Sequence, residues 1–378
     1  MIVIVAHREP IIDRIPNLNA LIEYLAESGH TVHVVTTVND KFPAPEFHDK
    51  RIFVHLIPER RSRFDPPSLL KLILALAWRL IATTGRSRCL IMAGGGALTI
   101  AGGIPLLKNR YASFVVEYPD WIAGNKSWRA KLERRGIANS AFYITHDGLH
   151  ARIINGHLTL GNKNYLELAN STREPPYTGK TTLLHERLHI TQNAKILIHS
   201  GGFGPWFDSA RLCQIASSLS DDIKLVFHVS HDITNDDYYK THVSGSTASQ
   251  SALFSMTPVR ADKLSELLAS AHIGLAWYSI SELDFRALNM GLAAGKIGAY
   301  LKCGLPVIAP KIDSLSYIEE YRCGILVSDI SAIPDAISII DDNYSDYRSS
   351  AFKCYATLWN TDTQLRIIAK HLQDIASR

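Results

Sequence analysis

Short apolar segments rich in β-branched residues recur between stretches of helical periodicity, and this alternation constrains the fold more than any other feature. The segments are apolar throughout instead of alternating with polar residues, which is typical of strands buried on both faces of a parallel sheet. The pattern predicts an α/β protein with doubly wound parallel sheets covered by helices. The segments are Ile2–Ala6, Val32–Thr37, Ile52–Ile57, Cys89–Ala93, Ser113–Tyr118, Phe142–Thr145, Tyr165–Leu168, Lys195–Ser200, Lys224–Ser230, Ala252–Met256, Ile273–Ser279, Pro306–Ala309 and Gly324–Ser328.

The chain is long enough for two such sheets. Its 378 residues exceed the usual size of one domain, and the polar, proline-containing segment Ser171–Lys180 has the composition of a linker. We predict one Rossmann-like domain over residues 1–174 and a second over residues 175–359. Leu365, Ile368 and Leu372 have helical spacing, which predicts a C-terminal helix over about residues 360–378.

Charge is unevenly distributed between the two halves. Residues 1–175 hold 22 Lys and Arg against 15 Asp and Glu, whereas residues 176–378 hold 18 against 21. This asymmetry indicates that the first half meets an anionic partner. No basic motif interleaved with aromatic residues supports nucleic acid, so an anionic membrane surface is the favoured partner. Five scattered cysteines favour a reducing compartment, and we predict a cytoplasmic protein, with a peripheral position on the inner face of the plasma membrane as one option.

The segment Leu69–Ile81 is the candidate for membrane contact. It is apolar apart from one lysine and one arginine, and it includes a tryptophan. A helix of this length is too short to span a bilayer. It fits either a helix lying in the headgroup plane or an ordinary helix packed on the first sheet, and both interpretations remain open. The flanking cations are Arg60, Arg61, Arg63, Arg86 and Arg88.

Loops that follow strands carry the ligands in an open parallel sheet. Directly after Lys195–Ser200 come Gly201, Gly202, Phe203 and Gly204. Glycines in this position let backbone N–H groups approach a phosphate, although a tight turn without a ligand would have the same composition. Lys296 lies at the start of a predicted short helix, where its ammonium group would face a diphosphate, and a solvent-exposed lysine is the alternative.

Two segments resemble a known group of proteins. Lys296–Ile308 reads K-I-G-A-Y-L-K-C-G-L-P-V-I, which resembles the K-x-x-E-Y-x-x-x-G-x-P-V-I signature of GT-B glycosyltransferases, especially the family 4-like group. Ala26–Thr36 is similar to the L-x-x-x-G-H-x-V-x-V-x-T opening of the same fold. The glycine-rich loop and the helix Leu264–Ala269, which leads into an apolar strand, follow the order found in that group.

The resemblance implies a GT-B fold, in which two Rossmann-like domains face a cleft and the C-terminal helix packs back on the first domain. It also implies a glycosyltransferase of the hexosyltransferase type, which transfers a sugar from a UDP- or GDP-linked donor to a glycan or lipid-linked acceptor. Such enzymes require no divalent metal and no further cofactor. Synthesis of cell-surface polysaccharide or glycoconjugate is the role expected from this activity.

The resemblance and the strand positions together suggest further donor-binding residues. Ser281, Glu282 and Asp284 follow the strand Ile273–Ser279, where related transferases use an acidic residue to hold the donor sugar. Glu282 is the preferred candidate and is predicted to be catalytic, and a solvated acidic loop is the alternative. Tyr300, inside the matched signature, is predicted to contact the donor.

In the first domain, Glu117 and Asp120 follow a predicted buried strand. Either carboxylate could deprotonate an acceptor hydroxyl in an inverting transfer, or stabilise an oxocarbenium-like transition state in a retaining one. Trp121 could stack on an acceptor sugar or pack in the core. His7 and Arg8 follow the first strand and are predicted to bind the acceptor.

Two departures from the family pattern leave other functions open. Ala299 stands where the family has a glutamate that contacts the nucleotide ribose. Pro205–Asp208 replaces the Arg and Lys that many family members have after the glycine-rich loop. A non-catalytic nucleotide-sugar-binding subunit and a GT-B-fold UDP-sugar 2-epimerase are therefore alternatives to a transferase.

Overall fold

Two compact units make up the chain in a computed structural model, which describes residues 1–39, 44–58, 66–158, 163–246, 251–260 and 263–377. Unit 1 contains Met1–Arg173 together with Asn360–Arg378, and unit 2 contains Glu174–Trp359. Each unit is a parallel sheet with helices on its faces, so the α/β class predicted from the apolar segments is confirmed.

The sheet of unit 1 has seven strands within the described residues, in the order β3-β2-β1-β4-β5-β6-β7. All neighbours are parallel, so the carboxyl ends of the strands meet at one edge. Ile2 of the central strand pairs with Thr31 on one side and Arg88 on the other. The strands are β1 Ile2–His7, β2 Thr31–Val38, β3 Ile52–Pro58, β4 Arg88–Ala93, β5 Tyr111–Phe114, β6 Phe142–Thr145 and β7 Tyr165–Glu167.

Helices cover both faces of this sheet because alternate residues of each strand point to opposite sides. Val3 and Val5 pack in one core with Leu21 and with Leu365 of the C-terminal helix Asp362–Ala376. The other core lies under the remaining helices of the unit. The helices within residues 1–173 are α1 Pro16–Glu27, α2 Pro66–Ala82, α3 Gly94–Gly103, α4 Trp128–Asn139 and α5 Gly148–His157.

The sheet of unit 2 has six parallel strands within the described residues, in the order β10-β9-β8-β11-β12-β13. These strands are β8 Lys195–Ser200, β9 Ile223–His228, β10 Leu253–Ser255, β11 Ile273–Leu275, β12 Val307–Pro310 and β13 Gly324–Val327. The helices are α6 Leu183–Leu188, α7 Ser209–Ile215, α8 Asp237–His242, α9 Leu264–Leu268, α10 Ile280–Leu283, α11 Phe285–Leu288, α12 Gly295–Lys302, α13 Tyr317–Glu320, α14 Ile333–Asp342 and α15 Tyr344–Cys354, with a π-turn at Tyr355–Trp359.

Every predicted strand is present, and most bounds agree to within two residues, but two strands end four residues earlier than the sequence indicated. The segment predicted as Ser113–Tyr118 is a strand only over Tyr111–Phe114. The segment Ile273–Ser279 leaves the sheet after Leu275, because the Ser279 amide donates to the Trp206 carbonyl oxygen in the loop after β8 (2.8 Å). The residues after β11 therefore join the glycine-rich loop instead of extending the sheet.

Two findings bear on the predicted environment of the chain. All five cysteines are buried and free of disulfides. Among the described residues, no helix is long and apolar enough to cross a membrane.

Candidate functional site

A glycine-dependent turn follows β8 in unit 2. Gly201 and Gly204 have φ angles of 120° and 152°, a region that other residues rarely adopt. A β-carbon added at Gly202 would lie 2.4 Å from the Phe207 ring. The turn therefore requires glycine for its backbone geometry at two positions and for close packing at a third.

The backbone amides of this turn are not equivalent. Gly201 donates to the His228 carbonyl oxygen (2.9 Å), and Gly204 donates to the Ser209 hydroxyl (3.0 Å). Within the described residues, the N–H groups of Gly202 and Phe203 have no acceptor. Of the four residues predicted to hold a phosphate, these two therefore have amides available for a ligand.

Lys296 lies beside this turn, as its predicted role requires. It is the second residue of α12, and a β-carbon added at Gly201 would be 3.8 Å from its Nζ. The ammonium group also lies 4.3 Å from the ring centroid of Phe207 and 5.3 Å from that of Tyr278, within the range of cation–π contact. Lys296 is thus partly buried between the turn and two aromatic rings, which excludes the alternative of an ordinary solvent-exposed lysine.

The electrostatic environment of Lys296 is unusual for a lysine. Among the described residues, no carboxylate forms an ion pair with its Nζ, which lies 3.1 Å from His199 Nε2. Burial lowers the pKa of Lys296 to about 7, because the charged form is poorly solvated there. Burial and the Lys296 charge hold the pKa of His199 well below its usual range, so the imidazole is neutral.

Tyr300 holds the end of β8, from which the glycine-rich turn begins. Its side chain is fully buried, and its hydroxyl accepts from the Ser200 amide (2.7 Å) and donates to the Leu275 carbonyl oxygen (3.3 Å). The hydroxyl therefore joins the ends of β8 and β11. A buried hydroxyl with both partners in the protein positions the turn, and the predicted direct contact of Tyr300 with a donor stays a prediction.

The loop after β11 approaches the same region. Ser281 and Glu282 are exposed on α10, and Asp284 follows that helix with a φ of 59°. The Ser281 hydroxyl lies 3.0 Å from that of Ser279. Burial raises the pKa of Tyr238 on α8, and the charge of Glu282 adds to this rise. Helix α10, which carries Glu282, lies against Pro205–Phe207, the residues that follow the glycine-rich turn.

Unit 1 has a separate cluster at the end of β1. His7 is buried, and its Nε2 lies 3.4 Å from Glu9 Oε2; burial lowers its pKa. Glu9 Oε1 accepts from the Gly96 amide (3.1 Å) in the first turn of α3, where a negative charge is favourable. Arg8 is half-buried, and a β-carbon at Gly96 would clash with its side chain at 2.6 Å.

Glu133 of α4 joins this cluster, and the sequence analysis did not find it. A β-carbon added at Gly95 would lie 2.9 Å from its Oε1. Burial, with the charges of Asp120 and Glu9, raises the pKa of Glu133 to about 7. The only available signal was the glycine run Gly94–Gly96 at the end of β4, which leaves space for carboxylates against the backbone.

The other residues predicted in unit 1 differ in their exposure to solvent. Asp120 is exposed and acts electrostatically on Glu133. Glu117 is exposed in the loop after β5. Trp121 is only 8% exposed and belongs to the core, with the Arg134 guanidinium 5.8 Å from its ring centroid. Burial favours the packing interpretation of Trp121 over a platform for an acceptor sugar.

Comparison with solved structures identifies the fold. Anabaena Alr3699/HepE in complex with UDP and glucose is similar at a TM-score of 0.69 and 11% identity, covering 99% of this chain and 100% of that one. The E. coli trehalose-6-phosphate structure bound with UDP-2-fluoro glucose gives 0.69, 9% identity and 99% coverage of both chains. Alpha,alpha-trehalose 6-phosphate synthase from Burkholderia multivorans gives 0.66, 11% identity, and 100% and 97% coverage. The fold is therefore GT-B.

The sequence comparison adds the activity class. The family model described as "Glucosyltransferase 3-like, C-terminal domain" matches residues 215–367, and comparison with curated proteins gave no match. Together with the fold, this match makes the chain a GT-B glycosyltransferase, which confirms the resemblance found in Lys296–Ile308. The narrower family 4-like label and metal independence stay predictions.

Proposed function

We propose that this glycosyltransferase uses UDP-glucose as its donor and transfers the glucosyl group to a glycan or lipid-linked acceptor. The proposal rests chiefly on one observation in unit 2: the Lys296 ammonium group lies beside Gly201, and the next two residues of the turn, Gly202 and Phe203, have backbone amides without an acceptor among the described residues. Donors seen with the structurally similar proteins are UDP-glucose and UDP-2-fluoro glucose, which supports this donor over a GDP-linked one.

A diphosphate is complementary to the Lys296 ammonium group and the backbone N–H groups of the turn. Lys296 has no carboxylate partner among the described residues, so a bound anion would supply the counter-charge that the protein does not. Two adjacent N–H groups can bind phosphate oxygens in the manner of a backbone anion site. As the bond between the anomeric carbon and the diphosphate oxygen breaks, the same cation and amides would stabilise the negative charge on the leaving UDP.

Ser281, Glu282 and Asp284 are proposed to hold hydroxyl groups of the donor sugar. Their exposure near the glycine-rich turn supports this assignment. In unit 1, His7 and Arg8 are proposed to bind the acceptor. One carboxylate of unit 1 is proposed to take the proton of the acceptor hydroxyl or to stabilise the charge of the transition state. The candidates are Asp120, Glu117 and, as the preferred one, Glu133.

Glu133 is the best proton acceptor among these carboxylates. Its raised pKa, about 7, matches a group that takes a proton near neutral pH. In an inverting transfer, the acceptor hydroxyl would give its proton to Glu133 while its oxygen attacks the anomeric carbon. In a retaining transfer, the carboxylate cluster would stabilise the positive charge of the sugar instead.

Cell-surface polysaccharide or glycoconjugate synthesis in the cytoplasm is the proposed setting. Five buried, free cysteines are compatible with a reducing compartment.

Thermal-shift screening against UDP-, GDP-, ADP- and TDP-sugars tests the donor proposal, since a ligand that binds the native state raises its apparent stability. UDP-glucose should give the largest shift. Lys296→Met should lose most of that shift, whereas Lys353→Ala, which removes an exposed lysine on α15 of the same unit, should keep it. No shift with any sugar nucleotide, or an unchanged shift in Lys296→Met, would contradict the proposal.

One observation favours a second function. Ala299 occupies the position of the family glutamate on α12, and the segment Lys296–Ile308 contains no Asp or Glu that could replace it. Ribose binding must therefore differ from the family pattern. A non-catalytic nucleotide-sugar-binding subunit would bind UDP-glucose without releasing UDP over a broad panel of acceptors. Acceptor-dependent UDP release, measured by chromatography, would decide for the transferase.

A further inference from the structure

The outer face of α2 in unit 1 exposes large apolar side chains. At about 100° of rotation per residue they fall within an arc of about 80°, and they extend over about 16 Å of the helix. They form one continuous surface, here called the apolar stripe. Its members, which are 57%, 58%, 64% and 67% exposed, are Leu70, Leu74, Trp78 and Ile81.

The stripe is not needed to fold the unit. The opposite side of α2 already supplies Leu72 and Leu76 to the core under the sheet. A surface helix that packs on one side normally presents polar residues on the other. Helix α2 is apolar on both sides, so the two interpretations of Leu69–Ile81 apply to opposite faces of one helix.

The charge around the stripe indicates what covers it. Residues 66–116 contain no Asp or Glu but include Lys71, Arg79, Arg86, Arg88, Lys108 and Arg110. Lys71 is exposed at the border of the stripe, and Arg86 is exposed just beyond the end of α2. The predicted flanking cations Arg60, Arg61 and Arg63 lie outside the described residues. An apolar face bordered by cations and containing a tryptophan is complementary to the interface of an anionic bilayer.

We propose that the apolar stripe binds the surface of a membrane containing anionic phospholipids, with α2 lying in the plane of the headgroups. At 17 residues the helix is about 26 Å long, shorter than the bilayer core that it would have to cross. Symmetric pairing of the stripe with a second copy of the chain would bring Lys71 and Arg86 toward the same cations of that copy. Like charges oppose such pairing, which favours the lipid surface.

Cosedimentation of the full-length protein with vesicles tests the proposal. We expect the protein to pellet with phosphatidylcholine vesicles that contain phosphatidylglycerol, and to be released by high salt because the exposed charges are screened. The double variant Leu74→Ser, Trp78→Ser should lower the partition coefficient at least tenfold. Lys71→Ala and Arg86→Ala should each lower it about fivefold, and about thirtyfold together.

Matched controls separate this result from misfolding and from loss of the donor site. Ile339→Ser removes a 51% exposed apolar side chain on α14 of unit 2 and should leave vesicle binding unchanged. All variants should keep the thermal shift with UDP-glucose, because α2 belongs to unit 1. Failure to pellet with anionic vesicles, equal pelleting of the double variant, or dimerisation through the stripe in light scattering would overturn the proposal.

Discussion

UDP-glucose binding should be accompanied by proton uptake at Lys296. Burial lowers the pKa of this lysine to about 7. A diphosphate beside it should return the pKa toward its ordinary value of 10.5, since an opposite charge favours the ammonium form. The affinity should thus be highest below pH 7, where the unbound protein already carries the proton, and should fall as the pH rises above 7, because binding then requires proton uptake.

The size of the effect follows from these two pKa values. At pH 8 Lys296 is protonated in about a tenth of the unbound protein and in nearly all of the complex. Binding should therefore take up about 0.9 proton. The affinity should be about tenfold weaker at pH 8 than at pH 6. UDP-glucose itself does not titrate in this range, because both of its phosphates are diesterified.

Isothermal titration calorimetry at pH 8 in two buffers of different ionisation enthalpy measures this uptake directly. In Lys296→Met, proton uptake should vanish and the affinity should no longer depend on pH. Loss of a charge-assisted contact should also weaken binding at pH 6 by about 1.5–3 kcal/mol. Uptake below about 0.2 proton in the wild type, or equal uptake in the variant, would refute the assignment of Lys296 to the diphosphate.

Other consequences concern the turn and the carboxylate cluster. Gly202→Ala should weaken UDP-glucose binding at least tenfold in calorimetry, because its β-carbon would meet the Phe207 ring at 2.4 Å; wild-type affinity would contradict this. Activity should fall below about pH 7 as Glu133 is protonated, and Glu133→Gln should lower kcat more than KM and remove this limb, whereas an unchanged profile would exclude the residue. Tyr300→Phe should lower the free energy of unfolding by about 1–3 kcal/mol in urea denaturation, since the Ser200 amide loses its acceptor; a smaller change would show that water replaces the hydroxyl.

The layout of the two sheets was readable from sequence because it depends on local apolar patterns. Strands such as Ile2–His7 and Lys195–Ser200 are buried on both faces, and burial leaves a direct trace in composition. The end of β11 was not readable, because it depends on a hydrogen bond from Ser279 to Trp206, residues that are distant in the chain.

The candidate site shows the same division. The glycines after β8 and the lysine at the start of α12 were found from local patterns. Which amides of the turn already have an acceptor in the protein could not be found in this way. Gly201 donates to His228, which lies on a neighbouring strand. Glu133 was missed because an acid on a helix with many charged residues has no distinguishing mark until the fold brings Gly95 against it. Tertiary neighbours, and not residue type, determine these roles.

The tyrosine that joins β8 to β11 has a consequence for the energetics of binding. Lys296 and Tyr300 are four residues apart on one helix, and therefore lie on the same face of it. Fixing the phenol between two strand ends also fixes the backbone of α12 at Lys296, and the Phe207 and Tyr278 rings restrict the lysine side chain. The site is preorganised: the entropy lost in orienting the ammonium group is lost when the chain folds and not when a ligand arrives. A relative that lacked this phenol could keep every ligand contact and still bind more weakly.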